Sequence, residues 1–557
     1  IVNEQAESLS LPINCPANGN KSARLYGFVL DKLTTAYTYL KVVAPENTVI
    51  DVLFSHKTSI DREILYKHPA MLSLKCKQGE NVFVSLCTHA IGSLYLHVRE
   101  NQGNVIVEAI DVINVRQAGI KVSKLIFKDT GLQKIIDTCF QHLDNHLFGY
   151  EQNAWPYRIQ QSWFLMNEYH KALFYTQGNT TALKNFVLHY ANAQTEDGLF
   201  LVPWPAESTL NGMGKETLEA NSAQLPIEFG IEYVFACFNY LLFTNDLKTI
   251  SFVYHKLQLY IKYLINCIGD DGLLPHQGLG LASANIYGVR YRHQRHRKCG
   301  LNIYVAIMLR HAFAPICQAL NDAGWKKMAM QQAKILQKSI VHVFWSSAIE
   351  AFVVNQPWLK EEANQPVFDE RVAAQSVIYN MCPGANIKPS LTMLNSKPAN
   401  MLRANLSASN WRCLALGLNG SANKVMNEFK TDWLPQVDKN KLLTYGVKPV
   451  DVYYAAIMGL MPLNNGFTSF LIEPNLPESI FVHSYAWTGA GIVVFNAEGK
   501  KGFRKIKIKV PEAGNGLLVV ANNEVLDLPE AKIKVKANKK AMQLPAGQEI
   551  DILLHQT

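Results

Sequence analysis

"IGDDGLLPHQ", residues 268 to 277, is the stretch whose reading decides the fold. It follows "KTISFVYHKLQLYIKYLINC" (248 to 267), in which apolar residues recur at helical spacing. It also has an earlier counterpart, "QTEDGLFLVPWP" at 194 to 205, again after a strongly amphipathic segment. Both carry an acid, then Asp-Gly-Leu, then a proline. A helix that stops at Asp-Gly and continues as an extended segment is the corner of a helical hairpin, and its recurrence marks an array of hairpins. Such an array can close on itself, so the expectation is an (α/α)6 toroid.

Working outward, helical periodicity runs from about 130 to 465, in "LQKIIDTCFQHLDNHLF", "TALKNFVLHYANAQ" and "GIEYVFACFNYLLFTND" among others. Before it, "NTVIDVLFSH", "NVFVSLCTHA" and "NVIVEAIDVINV" alternate with period two. After it, "GIVVFNAEG", "RKIKIKVP", "NGLLVVANN" and "EIDILLHQ" do the same. Short alternating runs broken by Gly, Pro and Asn predict antiparallel β-sandwiches. The expected architecture is multidomain α+β: an N-terminal β-sandwich over 1–125, the toroid over 126–465 as catalytic or binding domain, and a C-terminal β-sandwich over 466–557.

The composition, 48% hydrophobic and 18% charged over 557 residues, is that of a folded multidomain chain and excludes disorder. No uninterrupted apolar run approaches the roughly 20 residues that span a bilayer, so no membrane span is expected. The chain opens without Met or a basic-then-apolar signal, and a processed, periplasmic or secreted protein is the expectation. Ten cysteines without a CxxC pair read as buried thiols. With no calcium loop and no close Cys/His spacing, neither metal nor cofactor is expected.

The net charge of +9 is concentrated in "YGVRYRHQRHRKCG" (287 to 300), which sets Arg290, Arg292, Arg295, Arg297 and Lys298 around Tyr291, His293 and His296. That density attracts anions. It is not spread along a repeated face, which argues against nucleic acid and leaves an acidic oligosaccharide or polysaccharide as the expected partner.

The order sandwich, hairpin array, sandwich resembles the bacterial α-L-rhamnosidases with a six-hairpin glycosidase domain. The resemblance is carried by "LYGFVLDKLTTAYTYLKV" and "CTHAIGSLYLHV" in the first sandwich, the hairpins from "NEYHKALFYTQG" to "INCIGDDGLLP", and "NNGFTSFLIEPNLPESIFVHSYAWTGAGIVVF" at the passage into the last. It implies a carbohydrate substrate and a pair of carboxyls, one to protonate the leaving oxygen and one to activate water. "YEQNAWPYRIQQSW" (150 to 163) stands where the family has its acidic signature. Aligned on Trp163, the acidic positions fall on Asn153, Arg158, Ile159 and Met166, and the later glutamate loop is shortened to "KTDWLPQVDKNKLLTY", with Asp432 and Asp438.

Three functions follow. A lyase on a rhamnosyl-uronate glycan would use Tyr157, Arg158, His276, Tyr291 and His293 for proton transfer and carboxylate neutralisation. Trp155, Gln161, Trp163, Trp204, Arg290, Arg292 and Arg295 would bind the sugar. A hydrolase with relocated acids would draw on Glu228 and Glu232, four apart at a helix start, or on Glu207, Asp369, Glu370 or Asp451. A non-catalytic carbohydrate-binding paralogue would keep only the cleft.

Overall fold

The computed structural model describes residues 11–17, 24–55, 57–60, 70–86, 88–100, 103–114, 124–145, 166–200, 227–275, 297–356, 368–404, 410–438, 446–521, 524–527, 534–536 and 539–556. The chain divides into two compact units. One comprises Ile1–Ala118, Asp144–Phe148 and Ala154–Ile159; the other comprises Gly119–Leu143, Gly149–Asn153 and Gln160–Thr557.

The first unit is a seven-stranded antiparallel sheet of β1 (Ile13–Cys15), β2 (Arg24–Ala44), β3 (Val49–Ser55), β4 (Ala70–Lys75), β5 (Gly79–Val84), β6 (His89–Glu100) and β7 (Val105–Asn114). Its order is β1-β7-β2-β6-β3-β4, with β5 on β2. The long β2 changes register between Val29 and Thr34, pairing mostly with β6 before the shift and with β7 and β5 after it. Its inward side chains, Ala36, Leu40 and Val42, join Ile50, Val52, Leu94, Leu96 and Val105 in the core.

In the second unit the helices are α1 (Thr130–Asn145), α2 (Met166–Gln177), α3 (Thr181–Tyr190), α4 (Glu228–Thr244), α5 (Leu247–Asn266), α6 (Cys299–Met308), α7 (Ala314–Ala319) and α8 (Ala323–Phe344). They continue with α9 (Glu370–Ile378), α10 (Lys388–Ser396), α11 (Asn410–Leu418), α12 (Ala422–Glu428), α13 (Leu434–Asp438) and α14 (Lys448–Val452). π turns at Leu309–Phe313, Phe429–Trp433 and Tyr453–Ile457 follow α6, α12 and α14. α2 packs on α4, α4 on α6, α6 on α9, α9 on α11, α11 on α14, and α14 returns to α2. The stretch Cys299–Ala319 is long and apolar enough to cross a membrane by length and composition, which an eye for uninterrupted apolar runs misses, and it is mostly buried inside this unit.

The two Asp-Gly corners are built alike. In the first, Thr195 N–H donates to Leu199 O and Gly198 N–H to Thr195 O; in the second, Gly269 N–H donates to Leu273 O and Gly272 N–H to Gly269 O. Gly198 and Gly272 have φ of +104° and +75°, and a Cβ there would lie 2.8 Å from Leu259 O and 2.7 Å from Ser339 Oγ respectively. Conformation favours glycine at both corners, and at Gly198 the backbone of Leu259 leaves no space for a side chain either. The residues that follow, Leu199, Phe200, Leu273 and Leu274, are buried and pin each corner to the core.

A second echo lies at the opposite turns. Asn245 and Asn321 both take left-handed φ, and the next residue, Asp246 or Asp322, caps the following helix by accepting from Thr249 N–H or Trp325 N–H.

Besides three two-stranded ladders, this unit has two larger sheets. Strands β9 (Leu460–Pro462), β10 (Ser469–Ile472), β11 (Ser479–Thr488), β12 (Gly491–Lys500), β13 (Phe503–Lys509), β14 (Asn515–Ala521), β15 (Glu524–Asp527), β16 (Lys534–Lys536), β17 (Lys539–Leu544) and β18 (Glu549–Gln556) follow β8 (Leu125–Phe127). The sheet orders are β9-β10-β14-β17-β16 and β15-β18-β13-β12-β11-β8. Two findings depart from the reading by alternation. β8 pairs with β11, across more than three hundred residues, and β10 pairs parallel with β14 because the excursion through β11 to β13 supplies the crossover that parallel pairing needs.

Tyr453 donates to Ser484 Oγ at 2.8 Å, Tyr454 to Tyr485 O at 2.8 Å and Tyr175 to Leu460 O at 3.3 Å, tying α2 and the turn after α14 to these sheets.

Replacing the cap Asp246 tests the corner. Burial alone would raise its pKa, but bonds from Thr249, Tyr240 and Lys184 outweigh this and hold it well below the usual carboxylate range. A depressed carboxylate adds stability above its unfolded pKa and loses it as pH falls through the folded value. Asp246→Ala is expected to cost about 1–2 kcal/mol at pH 7 and less in acid, read by urea unfolding at the two pH values.

Candidate functional site

Each of the six helices in the cycle brings polar or aromatic side chains from its first two turns to one place. From α2 come Asn167, Glu168 and Lys171; from α4, Glu232; from α6, Tyr304; from α9, Arg371; from α11, Asn410 and Trp411; from α14, Lys448 and Asp451. Helix N-termini favour negative charge, so this end of the ring suits carboxylates.

α4 is held at its start. Tyr260 donates to Ile227 O at 2.5 Å, and its ring occupies the space a Cβ on Gly230 would fill, 2.3 Å away. Tyr233, buried against Phe186, Tyr190 and Phe200, donates to Val187 O at 2.6 Å. This packing fixes Glu232 one turn in. Its carboxyl accepts from the Tyr304 hydroxyl at one oxygen and from Asn167 Nδ2 at the other. Asn167 is itself oriented by Asn239 Nδ2, which donates to its Oδ1 at 2.9 Å.

The neighbouring carboxylates form a second chain of contacts. Asn410 Nδ2 donates to Glu168 Oε1 at 3.3 Å and to Asp451 Oδ2 at 3.1 Å, and Lys171 Nζ reaches Asp451 Oδ2 at 3.1 Å. Asp451 is fully buried, whereas Glu168 and Glu232 are half-buried. The Arg371 guanidinium lies 5.6 Å from the centre of the Tyr304 ring. Tyr304 also meets the half-buried Trp411 edge-on at 6.2 Å.

Charge and burial set the proton affinities. Burial and the negative Glu168 push Glu232 up to about 7, against the hydrogen bonds from Tyr304 and Asn167 and the charge of Arg371. Burial likewise raises Asp451, with Lys171 opposing. It pulls Lys448 below the usual lysine value although Glu168, Asp451 and Glu232 all oppose it. For Lys171 the same pull is overcome by Asp451 and Glu168, which leave it raised. Among the described residues no group of three or more His, Cys, Asp or Glu could hold a metal ion.

The candidates read from sequence are placed unevenly. Trp155, Tyr157, Arg158, Gln161 and Trp163, Trp204 and Glu207, and His276, Arg290, Tyr291, Arg292, His293 and Arg295 lie outside the described residues. Glu228 is fully buried at the first position of α4, near the neutral Tyr260 phenol, whereas Glu232 is half-buried and opens to the cluster. Asp369 caps α9 by accepting from Arg371 and Val372 N–H, and Glu370 and Asp432 line a different cavity.

Glu168 was missed. The alignment that put Met166 at an acidic position stopped two residues short of it. A usable signal was the pairing of acid and lysine three apart at two helix starts, "EYHK" at 168 to 171 and "KPVD" at 448 to 451, since that spacing puts both on one face.

The chain matches solved structures over nearly all its length. A GH78 family rhamnosidase of Bacillus sp. GL1 superposes with a TM-score of 0.75 at 14% identity, covering 92% of this chain and 55% of that one. This chain has an α-L-rhamnosidase-like fold. The Streptomyces avermitilis α-L-rhamnosidase complexed with L-rhamnose gives 0.69 at 13%, covering 98% and 53%. The Klebsiella oxytoca rhamnosidase with rhamnose bound gives 0.61 at 11%, covering 80% and 89%. The chain thus spans about half the length of the first two. No protein-family model and no curated protein matches the sequence.

The two influences on Glu232 can be separated. Tyr304→Phe removes a bond that favours the ionised form and is expected to move the Glu232 pKa above 7. Glu168→Gln removes the like charge and is expected to move it below 7. The protonated-carboxyl band in infrared difference titration reads both. Because the folded pKa of Glu232 is raised, its contribution to stability is full below the unfolded value and lost as pH rises through about 7. Glu232→Gln should therefore melt above the wild type at pH 8 and not at pH 4.

Proposed function

We propose that the chain is a carbohydrate-active enzyme, a glycoside hydrolase whose six-helix cycle is the inner ring of an (α/α)6 toroid. The observation that carries this reading is Glu232, half-buried, hydrogen-bonded by Tyr304 and Asn167, and poised at about 7 beside a second accessible carboxyl, Glu168.

Hydrolysis needs a proton donor at the glycosidic oxygen and a base for the attacking water. Glu232 is half protonated near neutral pH and gives its proton to the leaving oxygen as the C–O bond breaks. Glu168 takes a proton from water, whose oxygen bonds to the anomeric carbon. Asp451, fully buried, touches no substrate; with Lys171 and Asn410 it holds Glu168 in place. Trp411 offers its half-exposed face to a sugar ring. The fold's likeness to rhamnosidases, two of them described with rhamnose, makes an α-L-rhamnoside the substrate we propose. The basic segment from Arg290 to Lys298 supports an acidic, uronate-containing remainder.

One observation favours a second reading. The Arg371–Tyr304 pair supplies a guanidinium for a uronate carboxylate and a phenol for proton transfer, the requirements of β-elimination. The products separate the two: elimination yields an unsaturated uronate that absorbs in the ultraviolet, and hydrolysis yields only saturated sugar.

With an α-L-rhamnosyl disaccharide as substrate, Glu232→Gln and Glu168→Gln are each expected to lower kcat by about 10²–10⁴-fold with little change in KM. A p-nitrophenyl rhamnoside, whose leaving group needs no proton, should recover much of the loss in Glu232→Gln and none in Glu168→Gln, where azide should restore turnover instead. Loss of only a few-fold in both variants would overturn the assignment. In the wild type kcat/KM should fall as pH rises through about 7, since Glu232 must carry its proton.

A further inference from the structure

A cavity of about 540 Å³ opens beside the first turn of α9, where Glu370 lines it. Its other charged walls are Lys397, Arg403, Arg412, Glu428 and Asp432. Most of these charges are committed to one another. Arg412, 3% exposed, spends its guanidinium on the Glu428 carboxylate and on Leu394 O, and Lys397 reaches Glu428 at 2.9 Å.

Glu370 differs. It is also only 3% exposed, yet among the described residues its carboxyl makes no hydrogen bond and no ion pair. A buried carboxyl left without a partner costs free energy, which a ligand reaching it would recover. Arg403, at the exposed rim, is likewise without an ion pair among the described residues. Burial pushes Glu370 up to about 7, with Arg412, Lys397 and Arg403 opposing, so near neutral pH it can accept or donate a hydrogen bond.

The walls also say what would not fit. Three cations face three carboxyls, one of them protonated about half the time near neutral pH, so the walls carry little net charge and neither an anion nor an ammonium is strongly favoured. The described residues offer no metal-binding cluster. A ligand whose groups each both donate and accept matches this mixture, and the volume lies in the range of roughly 300–1,000 Å³ that small ligands fill.

We propose that this cavity binds a neutral, hydroxyl-rich ligand of monosaccharide size, with Glu370 and Arg403 as its polar contacts. The site is separate from the Glu232–Glu168 cluster and does not rest on the hydrolytic reading.

Titration calorimetry of the full chain with L-rhamnose and D-glucose tests it. At least one of these sugars is expected to show saturable binding that Glu370→Leu and Arg403→Ala each weaken by about tenfold or more, while Glu168→Gln leaves it intact. D-galacturonate and D-glucosamine, each carrying a charge, should bind there at least about tenfold more weakly than the neutral sugar. Binding unchanged in both cavity variants, no neutral-sugar binding at millimolar concentration, or preference for a charged sugar would each overturn the proposal. Should Glu370→Leu fail to fold by circular dichroism, the rim variant Arg403→Ala decides alone. Failure of hydrolysis with this binding retained would sink the enzymatic reading and leave the cavity assignment standing.

Discussion

The burial of the Asp451–Lys171 pair is the constraint on which the centre of the ring depends. A carboxylate with no exposed surface is tolerated only when its charge is met, and breaking such a pair leaves an uncompensated ion that costs several kcal/mol. Lys171 and Asn410 meet it at 3.1 Å each, and the same Asn410 amide reaches Glu168. The two ends of the helical cycle, α14 and α2, are thereby joined across 280 residues by one hydrogen-bonded ion pair. The contact between the first and last helices of the cycle and the placing of Glu168 thus share one group, the Asn410 amide beside Asp451.

Much of the fold was legible because it is written locally. The Asp-Gly corners at 197–198 and 271–272 announce themselves through a glycine that must take positive φ and the apolar residues that follow it. The Asn-Asp turns at 245–246 and 321–322 do so through a left-handed residue and a cap. Alternation found the strands of both ends. What could not be read was pairing at long range: β8 with β11, or β10 parallel to β14, depends on which edges meet after hundreds of intervening residues, and no local pattern records that.

The site was legible only in part, for a related reason. Glu232 and Asp451 could be named as helix-start acids, but Asp369 and Glu370 look the same in sequence, and one is a cap while the other lines a separate cavity. What distinguishes them is which flank of the helix meets the interior of the ring, a property of six helices together. Phenol and guanidinium groups were expected from the aromatic and basic segments, whose candidates lie outside the described residues; among the described residues the helices bring both kinds to the centre as Tyr304 and Arg371. The expected replacement of carboxyls by those groups is not what the described centre contains: both kinds stand side by side.

The π turn at Tyr453–Ile457 carries a consequence for how such a chain can be recognised. A π turn holds one residue more than the α-helical turn it replaces, so the backbone continues along its path while every later side chain is numbered one place further on. Here the widened turn lets two successive tyrosines both reach β11, at Ser484 and Tyr485. Three such turns, at 309–313, 429–433 and 453–457, let spacing drift inside helices, where insertions are least expected, without disturbing their arrangement in space. Shape can then outlast any readable kinship between the letters that encode it.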